Sequence, residues 1–338
     1  MTAPHLLHVF SNFVPTGPEL RTVELIGAFG RDFRHSILSM DGRTGAAERL
    51  PPDADARILP APPKAGSLAT ARRLRKLLGQ ERPDLVLTYN WGAFDMLLAA
   101  RSAGFRRVIH HEEGFNEDEA EQLKRRRVWA RRLVLPGAAA VVVPSERLRS
   151  IALDRWRLRP EQVRLIPNGI RLDRFAPADP GNAPLVVGTV GSLRAVKNHA
   201  RLLEAVARVP DVHLLLVGDG EERPALERRA AAPDLAGRVR FAGYQESPAP
   251  FYQAMYLFAL SSDSEQMPVA LLEAMASGLP VVSTDVGDVR AMLPPEQAPF
   301  IGADLAGPIA ALARHPALRR QLGLLNRKRV EERYSFDA

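Results

Sequence analysis

Twice along its length the chain alternates short β-rich apolar runs with segments of helical period, and this alternation leaves few folds open. The first series of strands is expected at Leu6–Phe10, Ser36–Ser39, Leu85–Thr88, Arg107–His110, Ala140–Val143 and Val163–Ile166, with helices between them at Glu19–Phe29, Leu68–Gln80, Ala93–Ala103, Glu119–Leu135 and Glu146–Arg155. The second series has strands at Leu185–Thr189, His213–Val217, Val239–Ala242, Leu257–Ser261 and Val281–Thr284. Its helices are Asn198–Val209, Glu221–Ala232, Pro248–Ala254, Pro268–Ser277, Ala303–Arg314 and Pro316–Arg333. Strands that alternate with helices form parallel sheets, because a parallel pair needs a crossover long enough to hold a helix. The stretch 167–184 holds four prolines, two glycines and two asparagines, the punctuation of a connection rather than of an element. The expected fold class is therefore α/β, with two doubly wound Rossmann-like domains facing across a cleft: residues 1–170, a linker at 171–184, and residues 185–338. A length of 338 residues also exceeds what one core usually organises.

Ligands of doubly wound sheets sit at the carboxyl ends of strands, so the segments that follow strands are the candidates. The richest runs from Ser261 to Pro280. A strand ends near Ser261, Pro268 suits the first turn of a helix, and Gly278 suits its end. Glu265 precedes this helix and Glu273 lies inside it. A mainly helical span would separate them by about 12 Å at 1.5 Å per residue, near the reach of a nucleotide sugar from hexose to ribose. The amides of Gln266, Met267 and Val269 would then point out from the positive end of the helix, where an anion binds. The plainer reading makes Glu265 a cap and Glu273 a solvated helix residue.

A second segment, Val190-Gly191-Ser192-Leu193-Arg194-Ala195-Val196-Lys197-Asn198, carries two cations just after a strand. Such cations can neutralise a diphosphate leaving group; alone they also read as surface charge. Gly218-Asp219-Gly220 reads as a tight turn. At the start of the chain, Gly17 would let backbone approach a ligand closely, or simply turn the chain. His110-His111-Glu112-Glu113-Gly114 ends another strand. Its histidines and glutamates, like Asp263 and Glu265, raise the question of a metal, but no further ligands follow at metal-site spacing. A polar cleft wall is favoured, with plain loop residues as the alternative.

Charge adds a third clue. The net charge is +7, and residues 1–180 carry 29 Lys and Arg against 21 Asp and Glu, while 181–338 carry 17 against 18. The excess concentrates in Arg72–Lys76 and in residues 124–132. These are either solvated helix faces or contacts to an anionic partner. With aromatics at 6%, no stretch interleaves rings with basic residues as a base-stacking surface would. An anionic membrane surface is favoured over nucleic acid. Absence of cysteine excludes thiol chemistry and disulfides. No apolar run reaches the ~18 residues of a membrane span and no signal-peptide layout opens the chain, so a cytoplasmic protein is expected.

Taken together the motifs resemble the family 4 retaining glycosyltransferases of the GT-B fold. Five pieces occur in the family's order: Val-Val-Val-Pro-Ser at 141–145, Ile-Pro-Asn-Gly-Ile at 166–170, Val-Gly-Ser-Leu-Arg-Ala-Val-Lys-Asn at 190–198, Leu-Leu-Val-Gly-Asp-Gly at 215–220, and Glu265 to Glu273 followed by Ala-Met-Ala-Ser-Gly-Leu-Pro-Val-Val-Ser-Thr-Asp-Val-Gly. The resemblance implies that Glu265 holds the hydroxyls of the transferred sugar and Glu273 the ribose. Arg194 and Lys197 would clamp the diphosphate with the amides of residues 266–269 and with Gly17. It also implies metal-free transfer from a nucleoside-diphosphate sugar, with no cofactor, to a glycan or lipid-linked acceptor entering on the N-terminal half near His110, His111 and Glu113. The protein would work at the inner face of the plasma membrane in cell-surface polysaccharide or lipopolysaccharide synthesis.

The chain departs from the family pattern at Ser192, where an arginine is common, and at Gln266-Met267, where Gly-Phe is common. It also has Glu113 in place of a histidine and Thr16-Gly17 in place of a glycine pair. Relatives usually continue past a stretch like 333–336 with a helix crossing back, so a looser hinge is expected. A nucleotide-sugar 2-epimerase of the same fold, a donor-binding sensor without turnover, and a basic nucleic-acid-binding protein are the alternatives.

Overall fold

The architecture comes from a computed structural model that describes residues 3–63, 65–115, 119, 123–178 and 184–336. The chain divides into two compact units, Met1–Ile166 and Pro167–Ala338.

The first unit is built on seven parallel strands: β1 (His5–Phe10), β2 (Arg34–Ser39), β3 (Ala56–Leu59), β4 (Leu85–Tyr89), β5 (Val108–His111), β6 (Ala140–Val143) and β7 (Val163–Leu165), in the order β3-β2-β1-β4-β5-β6-β7. Helices α1 (Gly17–Phe29), α2 (Ser67–Glu81), α3 (Phe94–Ser102), α4 (Arg125–Val134) and α5 (Glu146–Asp154) cross between strands. Every residue of β1 is buried, as expected of a central strand covered on both faces. The chain winds outward from β1 to β3, then returns to lay β4 on the other side of β1. The carboxyl ends of β1 and β4 therefore form the switch point at which ligands bind in such sheets.

The second unit repeats the scheme with β8 (Leu185–Val190), β9 (Val212–Val217), β10 (Val239–Gly243), β11 (Leu257–Leu260) and β12 (Val281–Ser283), ordered β10-β9-β8-β11-β12 and all parallel. Its helices are α6 (His199–Ala207), α7 (Arg223–Ala230), α8 (Ala249–Gln253), α9 (Val269–Ala276), α10 (Val289–Met292), α11 (Ala306–Arg314) and α12 (Pro316–Arg333). The switch point falls at β8 and β11, the two strands that precede the candidate segments 190–198 and 261–280.

Strand β3 escapes sequence reading because only Leu59 of its four residues is buried and Arg57 interrupts the apolar run. The short α10 is missed for lack of a periodic stretch. The expected helix Glu119–Leu135 is observed over Arg125–Val134, and residues 120–122 lie outside the described residues. The expected linker 171–184 is not uniform. Phe175 is buried in the core of the second unit and the Ala178 amide donates to the Ser277 carbonyl at 2.8 Å, while Ile170, expected at the end of the first domain, packs in that same second core and pairs with Ser335. Residues 179–183 lie outside the described residues.

The interior of the first unit holds several buried histidines. His8 Nε2 lies 3.0 Å from His35 Nδ1, and His8 Nδ1 lies 3.2 Å from the Tyr89 hydroxyl. Burial first, then the neighbouring histidines, push His8 down to about 3 from an ordinary 6.5; burial and then Arg21 do the same to His111. The unfolded chain therefore binds more protons than the folded one over this interval. Stability is fully present above pH 6.5 and drains as pH falls toward 3, by about 1.4 kcal/mol per pH unit for each histidine. Thermal unfolding midpoints should fall steadily from pH 7 to pH 4.5, with a shallower slope in His8→Gln. Equal slopes in the two proteins would contradict this account.

Candidate functional site

In the second unit the two switch-point segments are tied together. Beyond β8 the chain enters a loop that is braced from beneath: the Leu193 amide donates to the Asp219 carbonyl at 2.9 Å and the Glu222 amide to the Leu193 carbonyl at 2.9 Å. Gly218 is required here. Its φ is +139°, and a Cβ there would run into the Gly191 carbonyl oxygen. Gly218-Asp219-Gly220 is thus the support of the cation-bearing loop, which gives the tight turn read from the sequence a purpose. Asn198 then caps α6 by accepting from the Arg201 amide at 3.1 Å.

Beyond β11 the chain is fastened onto this loop. The Asp263 amide donates to the Val196 carbonyl at 2.9 Å, the Ser261 hydroxyl to the Lys197 carbonyl at 2.9 Å, and Arg201 reaches both the Ser261 carbonyl (2.8 Å) and Asp263 (2.6 Å). These bonds bring Lys197 Nζ to 2.6 Å from Glu265 Oε1, the same oxygen that accepts the Ser262 hydroxyl at 2.7 Å. Side-chain exposure is 22% for Lys197 and 10% for Glu265, and Ser262 is buried as a whole residue. The pair is accessible, while the hydroxyl that orients it is not.

Arg194 is placed differently. It is exposed, and its Nε donates to the Ser192 hydroxyl at 2.9 Å. The serine that stands where the family commonly has arginine thus holds the arginine two positions later.

The expectation for residues 266–269 needs correction. Pro268 is the N-cap of α9 in extended conformation, not a residue of its first turn, so Gln266 and Met267 precede the helix. Both are buried. The Gln266 carbonyl accepts from Asp288 at 2.9 Å, and Asn168 donates to the Met267 carbonyl at 3.0 Å. Only Val269, 39% exposed, stands at the helix start. The rise of about 1.5 Å per residue therefore applies only from Val269 onward. Gly287 (φ +55°) lies against this approach: a Cβ there would meet the Glu265 and Gln266 carbonyl oxygens at 2.6 and 2.5 Å. Glu273, half-buried on α9, accepts the Tyr252 hydroxyl at 2.6 Å. Sequence reasoning missed Ser262, Tyr252 and Gly287, because nothing in spacing or composition marks a residue whose part is to hold another.

In the first unit the strand pleat sorts residues 110–113 by parity. His110 and Glu112 turn inward. His110 is 1% exposed and bonds to the Thr88 hydroxyl at 2.9 Å; Glu112 is fully buried and accepts from Arg131 Nε at 2.9 Å. His110 is therefore part of the core and not of an acceptor wall. His111 and Glu113 face the other way, toward the switch point. His111 stacks on Tyr89 at 4.8 Å, and Glu113 accepts both arms of Arg21 from α1. The Glu113 amide donates to Asn90 Oδ1 at 2.7 Å, past the end of β4. Burial raises the carboxyl of Glu19, two residues before Arg21 on α1, against its bond from Thr16. Gly17 opens α1, and a Cβ there would meet nothing within 4 Å. Among the described residues no group of three or more His, Asp or Glu is arranged to hold a metal ion.

The basic segment 124–132 also divides. Arg131 is 1% exposed and lies 5.0 Å from the Trp91 and Trp156 rings and 5.5 Å from Phe115; Arg127 pairs with Glu119 at 2.8 Å. These two cations are internal and are withdrawn from any surface role. Arg125, Arg126, Trp129 and Leu133 are exposed, with Arg132 stacked on Trp129 at 5.1 Å. The other cluster, Arg72, Arg73, Arg75 and Lys76, lies on the exposed side of α2.

Two family descriptions match in tandem: a glycosyl transferase 4-like domain over residues 16–169 and glycosyl transferases group 1 over residues 184–314. The lipopolysaccharide core biosynthesis glycosyltransferase LpsE of Rhizobium meliloti is 44% identical over 115 residues, 34% of each chain. The UDP-Gal:alpha-D-GlcNAc-diphosphoundecaprenol alpha-1,3-galactosyltransferase of Escherichia coli is 28% identical over 237 residues, 63% of this chain and 60% of that one. The matched segments thus span between a third and three-fifths of these relatives. Among solved structures, Anabaena HepE in complex with UDP superposes with a TM-score of 0.81 at 18% identity, over 98% of this chain and 96% of that one.

Proposed function

Because the chain belongs to the family 4 glycosyltransferases of the GT-B fold, we propose that it moves a sugar from a nucleoside-diphosphate sugar to a glycan or lipid-linked acceptor, with retention of configuration and without a metal ion. The observation that carries this reading is the Lys197–Glu265 pair at the switch point of the second sheet. An ammonium and a carboxylate in contact there match the two halves of the donor's reacting end. The diphosphate takes Lys197, and the hydroxyls of the sugar take Glu265, which Ser262 keeps in place when Lys197 turns away.

The bond from the sugar's anomeric carbon to the diphosphate breaks as the acceptor oxygen bonds to that carbon from the same face. The acceptor's proton passes to the departing phosphate oxygen. Charge growing on that oxygen is met by Lys197 and by the start of α9 at Val269. Arg194 plays a lesser part, being solvent-facing and tied to Ser192. On the first unit, Glu113 with Arg21 and His111 is the polar wall for the acceptor.

Support for a glycan acceptor in cell-surface synthesis comes from the relatives named for lipopolysaccharide core and diphosphoundecaprenol substrates. The exposed face of Arg125, Arg126, Trp129 and Leu133 is the proposed contact with an anionic membrane surface. Each basic residue near such a surface contributes about 1 kcal/mol before screening. Among the described residues no helix is long and apolar enough to cross a membrane.

The test is a thermal-shift panel of nucleoside diphosphates followed by their sugars, then product analysis by NMR with and without chelator. Transfer that survives chelator and gives the donor's anomeric configuration is expected. Conversion of the donor without an acceptor would make the protein an epimerase, and a shift with polynucleotide alone would overturn the reading. Gly287→Ala should push the 265–266 backbone aside and lower donor affinity by at least tenfold at an unchanged fold. Wild-type affinity in that variant would contradict the placement of the site.

A further inference from the structure

We infer that Tyr252 is the positioning residue for Glu273, and that through it the protein discriminates a donor with the ribose 2′,3′-diol from one without it. The inference rests on the proposed reading in which Glu273 holds the ribose. Tyr252 lies on the five-residue helix α8, away from every segment the sequence marks as functional. It is fully buried, with its ring edge-on to Phe175 and tilted against Phe258, each 6.0 Å away. Its hydroxyl emerges from that core at α9, 2.6 Å from Glu273 Oε2 and 3.2 Å from the Ala270 carbonyl one turn earlier.

A buried phenol has two torsions, both fixed here by packing. The short bond to an ionised acceptor therefore transfers the rigidity of the core to the carboxylate. Burial and then the adjacent charge of Glu273 push the Tyr252 hydroxyl well above its ordinary pKa of 10, so it stays protonated and donates throughout the working range. Glu265 is served in the same manner by the buried Ser262, which shows the device used twice in one unit. A diol is recognised by a carboxylate only when the plane of that carboxylate is fixed. Loss of the phenol should thus weaken binding of the diol and nothing else.

The experiment titrates the full chain with UDP, GDP, ADP and CDP by calorimetry, then compares the tightest with its 2′,3′-dideoxy analogue in wild type, Tyr252→Phe and Glu273→Gln. Tyr252→Phe keeps the ring and its packing, and an unchanged unfolding transition confirms the fold. It is expected to lose about tenfold in affinity for the ribonucleotide and nothing for the dideoxy analogue. A wild-type ratio in Tyr252→Phe, or equal weakening of both ligands, overturns the inference. If Glu273→Gln collapses the ratio while Tyr252→Phe preserves it, the inference alone fails. If Glu273→Gln also preserves the ratio, the assignment of ribose to Glu273 fails with it.

Discussion

Replacing Lys197 by alanine is expected to leave no more than about one part in 10² to 10³ of sugar transfer, in a protein that folds normally. Lys197 sits on a loop whose backbone is held from two sides, by Asp219 and Glu222 around Leu193 and by Asp263 and Ser261 around residues 196–197. Removal of the ammonium does not release that loop. What is lost is a preorganised cation at the breaking bond, a contribution of about 3–4 kcal/mol to the barrier for groups of this kind. Glu265 keeps its bond from Ser262 in the variant, so the carboxylate is not set adrift, and the loss should fall on kcat more than on the binding of the sugar. Arg194→Ala, whose side chain faces solvent and Ser192, should cost less than tenfold. Initial rates with a radiolabelled donor, beside circular dichroism of each variant, decide the matter. Comparable rates in wild type and Lys197→Ala would remove the basis of the proposed mechanism.

The second large effect concerns stability. Arg131→Met should destabilise the first unit by about 3–5 kcal/mol, because it leaves the Glu112 charge buried and uncompensated. Burial alone would raise Glu112; Arg131, and after it His110, reverse the sign and hold the carboxyl below its ordinary range. Stability from this pair is present above the unfolded value of 4.5 and is lost as pH falls below it. For a unit of this size the expected drop in Tm is roughly 10 °C. The double variant Arg131→Met with Glu112→Gln removes both charges and should recover a large part of the loss, since the two residues share one network. Differential scanning calorimetry distinguishes the outcomes: additive losses in the double variant would show that the pair is not coupled.

Arg131 also shows where sequence reading fails. A run of basic residues around Trp129 reads as one electrostatic surface, yet helical geometry sends Val128, Arg131 and Val134 inward and leaves Arg125, Arg126, Trp129 and Leu133 outside. Composition carries no information about which face a charge takes; only its partner does, and Glu112 lies nineteen positions away in the chain. The same holds for His110 and His111, adjacent in sequence and opposed in space. The alternation of strands and helices was legible because its period is local, and so were Lys197 and Glu265, each placed just after a strand at a switch point. The residues that orient them were not legible. Ser262, Tyr252 and Gly287 act through contacts that exist only once the second sheet is assembled.

The central claim is that a diphosphate is bound at Lys197. Its most direct test is the calorimetric Kd of the tightest-binding nucleoside diphosphate and of the corresponding free nucleoside, in wild type and in Lys197→Ala. The diphosphate should bind the variant at least tenfold more weakly, while the nucleoside binds both proteins alike. Equal affinity of the diphosphate for the two proteins would contradict the account.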